Sequence, residues 1–411
     1  MSSAIAMLSV HTSPLVLPGS AKDAGGMNVY IREMALELSR SQFTVDIFTR
    51  RTQPDQPEIV SLAPRVRVIH IEAGPPAPVQ KPDLYQYLPT FARQVEAFAR
   101  REHRYYALVH SHYWLSGVVA LHLANSWRVP HLTMFHTLAY LKRLANPAEV
   151  EPALRLAMER RLIQQADRII ATTHDERSQI IRHCGALPNQ VEVIPCGVDL
   201  RRFVPHDRQE ARARLGLKAD QPMLLFVGRL DPFKGPDVFL KAAALMRKKA
   251  QLVVVGGKIA GDPELEKLRE LARELGLHRR VHFLGARPQE ELPRIYSAAD
   301  VTVVPSYHES FGMAAVESLA CGTPVVATRA GGLMTIVRPG QTGYLVPRCP
   351  GFFAERLDAL LNSPDTLNAM RATARPSVLR YSWQSVARRM SEVYEDVLSE
   401  MAVEEQAALM I

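Results

Sequence analysis

The chain has 411 residues, 47% hydrophobic and 22% charged, with a net charge of +8 and an isoelectric point near 9.4. That length exceeds one typical core, so two or three domains are expected, and the composition excludes a disordered or fibrous protein. The basic runs Arg247-Lys248-Lys249 and Arg279-Arg280 are too short for a nucleic-acid arm and read as solvated helix ends, so no nucleic-acid partner is expected. The four cysteines, Cys184, Cys196, Cys321 and Cys349, show no paired spacing, which points to reduced thiols and a cytoplasmic location. The N-terminus lacks a basic region and reads as a first strand, not a signal peptide. No apolar run approaches the ~20 residues of a membrane span, although the basic excess leaves peripheral contact with an anionic membrane face open.

Residues 4–10 read as a strand. A loop with His11-Thr12-Ser13-Pro14 and Gly25-Gly26-Met27-Asn28 follows, then an amphipathic helix over 29–40 with Ile31, Met34, Ala35 and Leu38 on one face. Strand, glycine-rich turn and helix open a dinucleotide-binding-like unit, in which paired glycines let backbone approach phosphate or sugar. Strands over 45–49 and 66–71 come next. The proline-rich segment 74–82 cannot be regular structure and is either a mobile surface loop or a binding loop. A helix over 91–101, a strand running into His110-Ser111-His112-Tyr113-Trp114, a helix over 115–125, a strand ending at His136-Thr137 and a helix over 150–166 follow. Strands over 168–173 and 191–195 complete a parallel sheet covered on both faces.

A linker-like stretch from Pro195 to about Pro222 carries a charged helix over 209–215. Beyond it, strands over 223–228, 252–256, 281–284, 301–304 and 324–327 alternate with helices near 237–248, 263–275, 289–298 and 312–320. The organisation is therefore 1–200 as a first doubly wound α/β domain, 201–381 as a second that binds nucleotide, and 382–411 as a C-terminal segment. That segment carries an amphipathic helix over 382–401 that could pack back on the first domain, and Met410-Ile411 are expected to fray.

In open α/β sheets ligands bind beyond the carboxyl ends of the strands, and the polar clusters of this chain all fall there. Facing edges of two such sheets would form a deep inter-domain cleft. The stretch 304–327 organises the second domain: strand end, polar loop, helix, glycine stop, strand. Ser310 is an N-cap candidate for a helix starting near Phe311, and Gly322-Thr323-Pro324 stops it. Glu309 then lies in the loop and Glu317 inside the helix, about 12 Å apart if the rise is helical. That separation suits two ends of one extended ligand: sugar hydroxyls at Glu309, a ribose diol at Glu317, and an anion at the helix start between them. Two ordinary surface glutamates around a buried helix would look the same. Upstream, Arg229 and Lys234 flank a proline-containing turn and can converge on one pyrophosphate, a planar fork and a point charge together. Two cations and a helix start can stabilise a diphosphate leaving group without metal. His110 and His112 have no carboxylate or cysteine at ligand spacing, so no metal is expected. P-loop, GxSxG and HExxH motifs are absent.

Gly228-Arg229-Leu230-Asp231-Pro232-Phe233-Lys234-Gly235, Glu309 through Glu317, Gly322-Thr323-Pro324-Val325-Val326-Ala327 and Ala330-Gly331-Gly332 resemble the retaining GT-B glycosyltransferases of the glycogen-synthase-like and sucrose-synthase-like group, glycosyltransferase family 4. The resemblance covers nearly the whole chain. It implies a GT-B fold, α/β, with two doubly wound Rossmann-like domains facing across a deep cleft. Gly25-Gly26-Met27-Asn28-Val29-Tyr30, His110 through Gly117 and His136-Thr137-Leu138-Ala139 are most similar to members that glycosylate inositol 3-phosphate. Members that use fructose 6-phosphate share several of these features. Transfer to a lipid or polysaccharide acceptor at the membrane face is a further alternative.

The resemblance also implies roles. Arg229 and Lys234 would hold the donor diphosphate, Glu309 the donor-sugar hydroxyls and Glu317 the ribose. The backbone of Ser310-Phe311-Gly312-Met313 would line the sugar, and Gly25, Gly26 and Asn28 would border donor phosphate and acceptor. His136 would stand beside the anomeric carbon, so the catalytic set is His136, Arg229, Lys234 and Glu309. Lys81, Tyr113, Thr137 and Arg155 would grip an acceptor phosphate, and these residue types make chemical sense as an anion pocket. The reaction implied is metal-independent hexosyl transfer (glucose or N-acetylglucosamine) with retention, from a UDP-sugar and with no cofactor. The expected partners are that donor, a small phosphorylated acceptor and a second copy of the chain. Lys142-Arg143 stands where the family usually has lysine-asparagine, Cys196 replaces a common linker proline, and the proline-rich loop near Lys81 is not closely similar.

Overall fold

The computed structural model describes residues 3–20, 23–148 and 150–409, so Met410-Ile411 lie outside the described residues. Contacts divide the chain into two units: the described residues of 1–16, 27–195 and 383–411 form one, and those of 17–26 and 196–382 the other.

The first unit is built on eight strands: β1 (Ser3–Leu8), β2 (Phe43–Arg50), β3 (Ile59–Ala63), β4 (Val66–Ile71), β5 (Leu108–His112), β6 (His131–Met134), β7 (Arg168–Ala171) and β8 (Val191–Val193). Their order is β3-β4-β2-β1-β5-β6-β7-β8. Every neighbouring pair is parallel except β3 with β4. The central strands lie between two helical layers, which is why β1 and β5 read as continuous runs of buried residues. The edge strand β3, Ile-Val-Ser-Leu-Ala, has no fully buried residue and was not expected from the sequence.

Several helices extend beyond their periodic cores: Gly26–Arg40, Leu88–Arg101 and Trp114–Trp127. The helix expected over 150–166 is shorter, Ala153–Gln165, because Pro152 occupies its N-cap in an extended conformation. A further short helix, Ala139–Ala145, lies where no element was assigned from the sequence. Lys81 and Pro82 are not in irregular loop. They open a 3-10 helix, Lys81–Tyr87, because proline's fixed φ suits a first helical position. The loop before it is pinned by Arg50, whose guanidinium donates to the carbonyls of Pro75 and Ala77 at 2.6 Å each.

The terminal helix Trp383–Leu409 belongs to this unit. Trp383, Val386, Met390, Tyr394 and Val397 are buried at three- and four-residue spacing, an apolar stripe facing the core. Tyr394 packs edge-on to Phe43 at 5.6 Å, and its hydroxyl pairs with His110 Nδ1 at 2.6 Å.

The second unit holds β9 (Met223–Val227), β10 (Gln251–Val255), β11 (Val281–Gly285), β12 (Val301–Val304), β13 (Val325–Thr328) and β14 (Gly343–Val346). All pairs are parallel, in the order β11-β10-β9-β12-β13-β14. The strand order of each sheet reverses once, between β1 and β5 and between β9 and β12, and ligands of such sheets bind outside the strand ends at those points. No helix among the described residues is long and apolar enough to cross a membrane.

Candidate functional site

In the second unit, β9 runs into the turn Gly228–Gly235 and β12 into the loop 305–312, side by side at the reversal point. The two loops are joined by backbone: the Tyr307 N–H donates to the Phe233 carbonyl at 2.8 Å. Gly235 sits at φ +76°, and a Cβ there would run into the Pro305 carbonyl, so only glycine lets the loops close this tightly. Across the join, Lys234 Nζ lies 2.7 and 2.8 Å from the two Glu309 oxygens, and Ser306 Oγ donates to Oε1 at 2.7 Å. Burial would raise the Glu309 carboxyl, but Lys234 and Ser306 outweigh it and hold the group below its usual value. Glu309 is therefore a fixed carboxylate with lone pairs to spare for sugar hydroxyls.

Arg229 Nε lies 3.3 Å from the Asp231 carboxylate. Gly25 and Gly26, expected with the first domain, instead group with the second unit. A Cβ on Gly25 would stand 3.7 Å from Arg229 Cδ, and one on Gly26 3.0 Å from Met313 Sδ. Bare backbone thus runs beside both the cation and the helix start. The helix itself is Met313–Ala320, not from Phe311: Ser310 is no cap, and Gly312 takes the N-cap at φ +103°, a conformation glycine reaches without a Cβ penalty. The rise between Glu309 and Gly312 is therefore not helical, and the 12 Å separation of the glutamates loses its basis. Phe311 turns its ring into the core, 5.4 Å from Tyr381, so it presents backbone to the loop's outer side.

One residue outside the motifs locks the two loops. Arg348, just after β14, donates from Nε to the Pro305 carbonyl at 2.9 Å and from Nη2 to the Pro232 carbonyl at 3.0 Å. Its guanidinium stacks on the Tyr307 ring, 3.5 Å from the centroid. Arg348→Ala is expected to lower turnover about tenfold through the loss of Lys234–Glu309 alignment, with Arg348→Lys recovering little, because lysine cannot span both carbonyls. Steady-state kinetics with a melting curve for each variant checks this; full rescue by lysine would leave only a charge effect.

Glu317 is 7% exposed, and its carboxyl accepts the Tyr296 hydroxyl at 2.9 Å. Burial pushes its pKa up to about 7, only partly offset by Tyr296 and Arg202. A carboxyl raised in the folded state stabilises the fold below its unfolded value of 4.5 and loses that contribution as pH rises through about 7. The loss approaches about 3 kcal/mol. Thermal unfolding between pH 5 and 8 should show it in the parent and not in Glu317→Gln; parallel profiles would place the ionisation elsewhere.

In the first unit, Tyr113 directly follows β5 and His136 stands two residues beyond β6, at φ +74° and +58°. Such backbone in bulky residues persists only where the surroundings enforce it, and it clusters at functional sites. Lys81 Nζ stands 5.2 Å and the Arg155 guanidinium 4.9 Å from the centre of the Tyr113 ring. Arg155 Nη2 donates to the Thr137 carbonyl at 2.6 Å. Lys81, Tyr113, Thr137 and Arg155, spread over 75 positions of sequence, thus gather in one place. His136 Nε2 pairs with His112 Nδ1 at 3.0 Å. Burial lowers the His136 pKa to about 3, so it is a neutral hydrogen-bonding group, not a cation. Asn28 spends its amide N–H groups on Thr12 Oγ1 and the Ser13 carbonyl, each at 2.7 Å, bracing the loop after β1. Among the described residues no group of three or more His, Cys, Asp or Glu is placed to hold a metal.

Arg155 is itself enclosed by Glu159 and Glu151 at 2.7 and 2.8 Å, and Glu151 also takes Lys142 at 2.9 Å. Glu151, Tyr296, Ser306 and Arg348 were given no role from the sequence, and Lys142 entered only as part of a departure from the family pattern. The i±4 spacing of Glu151 and Glu159 around Arg155 was a readable signal; the others depend on contacts distant in the chain.

Two Rossmann-like sheets, one carrying a cation–carboxylate pair at its reversal point, are the architecture of GT-B glycosyltransferases. Residues 24–202 match Glycosyltransferase Family 4 and residues 207–376 match Glycosyl transferases group 1. The chain is 43% identical over 405 residues to the D-inositol 3-phosphate glycosyltransferase of Corynebacterium jeikeium, covering 96% of each. It is 44% identical over 407 residues to the enzyme of that name from Streptomyces bingchenggensis, covering 96% of this chain and 89% of that one. Among solved structures, sucrose-phosphate synthase from Thermosynechococcus elongatus superposes with a TM-score of 0.91 at 34% identity, over 97% of this chain and 100% of that one. The chain belongs to this glycosyltransferase family.

Proposed function

We propose that this glycosyltransferase moves a hexosyl group, glucose or N-acetylglucosamine, with retention from a UDP-sugar onto a small phosphorylated acceptor such as inositol 3-phosphate. The observation that carries the acceptor class is the gathering of Lys81 and Arg155 around Tyr113 beside Thr137. The relatives named D-inositol 3-phosphate glycosyltransferase support the particular acceptor. On the donor side, Arg229 and Lys234 take the diphosphate, Glu309 the sugar hydroxyls and Glu317 the ribose. Glu309 is bonded to Lys234 and Ser306, and Glu317 to Tyr296, which argues against either as a covalent nucleophile. Retention then follows from front-face substitution: the departing phosphate helps take the acceptor proton while the cations stabilise its charge. Neutral His136 hydrogen-bonds near the anomeric centre.

Transfer to fructose 6-phosphate is the second reading, favoured by the likeness to sucrose-phosphate synthase. Release of nucleoside diphosphate, measured with several UDP-, GDP- and ADP-sugars crossed with inositol 3-phosphate, fructose 6-phosphate and no acceptor, separates them. Stimulation by inositol 3-phosphate supports the first reading and by fructose 6-phosphate the second. Stimulation by neither would remove the phosphorylated-acceptor class.

A further inference from the structure

The guanidinium of Arg155 has three kinds of partner, and they are not equivalent. Glu159 is fixed: one oxygen takes Arg155 Nε at 2.7 Å, and the other takes the Ala139 N–H at the start of the 139–145 helix at 2.9 Å. The Thr137 carbonyl is backbone. Glu151 instead lies outside the helix, just before its N-cap Pro152, and its two oxygens bridge two cations: Oε1 to Lys142 Nζ at 2.9 Å and Oε2 to Arg155 Nη1 at 2.8 Å. A carboxylate with one oxygen on each of two converging cations is held as an anionic ligand would be.

We infer that Glu151 is a resident carboxylate that fills the acceptor's anion site in the free enzyme, and that the acceptor phosphate displaces it, gaining Lys142 as a further ligand. This rests on the acceptor pocket proposed above. Charge supports the exchange. Lys81, Lys142 and Arg155 against Glu151 and Glu159 leave one net positive charge, and withdrawal of Glu151 leaves two, the match for a phosphate near its dianionic form. The exchange also selects. A neutral polyol brings no charge to replace the carboxylate and would leave Arg155 and Lys142 each one anionic partner short, whereas a phosphorylated one restores the balance. Glu151 is thus a specificity-determining residue that acts by occupying the site.

The test measures acceptor KM with D-inositol 3-phosphate, donor KM, and equilibrium binding of inorganic phosphate, in the parent, Glu151→Gln and Lys142→Ala. Removing the competing charge should tighten both acceptor KM and phosphate binding in Glu151→Gln, on the order of fivefold, while donor KM holds. Lys142→Ala, at a partly exposed side chain, should weaken both, and it keeps the test open if the Gln variant does not fold. Unchanged or weakened phosphate binding in folded Glu151→Gln would make Glu151 only a brace for Arg155. So would an indifferent Lys142→Ala. Should the pocket reading itself be wrong, phosphate would fail to compete with the acceptor in the parent and Arg155→Lys would leave acceptor KM untouched. That pattern differs from the first and overturns both.

Discussion

Lys234→Ala is expected to lower turnover by about 10²- to 10³-fold, while donor affinity changes by less than about tenfold. The charge on a diphosphate leaving group grows as the glycosidic bond breaks, so a cation aimed at it stabilises the transition state more than the bound donor. Lys234 is positioned for this by three constraints: the turn after β9, the Tyr307–Phe233 backbone bond and the Glu309 carboxylate at 2.7 Å. The same substitution strips Glu309 of the group that most lowers its pKa, so the carboxylate proposed to bind the sugar loses alignment as well. Arg229→Ala should follow in kind but to a smaller extent, because Arg229, 3.3 Å from Asp231, is the more exposed of the two. Rates at saturating donor, set beside donor dissociation constants from calorimetry, check this. Turnover within threefold of the parent would remove Lys234 from the leaving group.

Arg155→Ala is expected to raise acceptor KM by about 100-fold while slow hydrolysis of the donor persists. It should also destabilise the first unit by roughly 3–5 kcal/mol, because Glu151 and Glu159 would be left without their shared partner in a buried site. Burial already raises the Glu159 carboxyl, and Arg155 is the largest influence opposing that rise. The two effects separate by measuring kinetics well below the melting temperature of the variant and by comparing Arg155→Lys, which keeps one charge but loses the three-way fork. A folded Arg155→Ala protein with parental acceptor KM would place the phosphate elsewhere.

Much of this protein is legible locally. Buried parallel strands announce themselves as runs such as Met223–Val227 and Val301–Val304, because both faces are covered and no alternation is needed. The turn carrying Arg229 and Lys234 and the loop carrying Glu309 are short-range features, and their residue types alone suggest diphosphate and sugar chemistry. Boundaries were less legible. A helix start is set by backbone geometry at one residue, and the αL conformation of Gly312 moved it two positions past the point the cap preference of Ser310 indicated.

What no local pattern could convey is who meets whom across the sheet. Arg348, two residues beyond β14, reaches the Pro232 and Pro305 carbonyls of loops far from it in the chain, and Gly25-Gly26 group with the second unit although they follow a strand of the first. The chain alone specified two wound α/β units and pointed to the proposed donor site, since both come from contiguous residues whose preferences agree. The anion cluster of Lys81, Lys142, Glu151 and Arg155 came from strand order, which brings separate loops to one edge and turns scattered charges into a single electrostatic site.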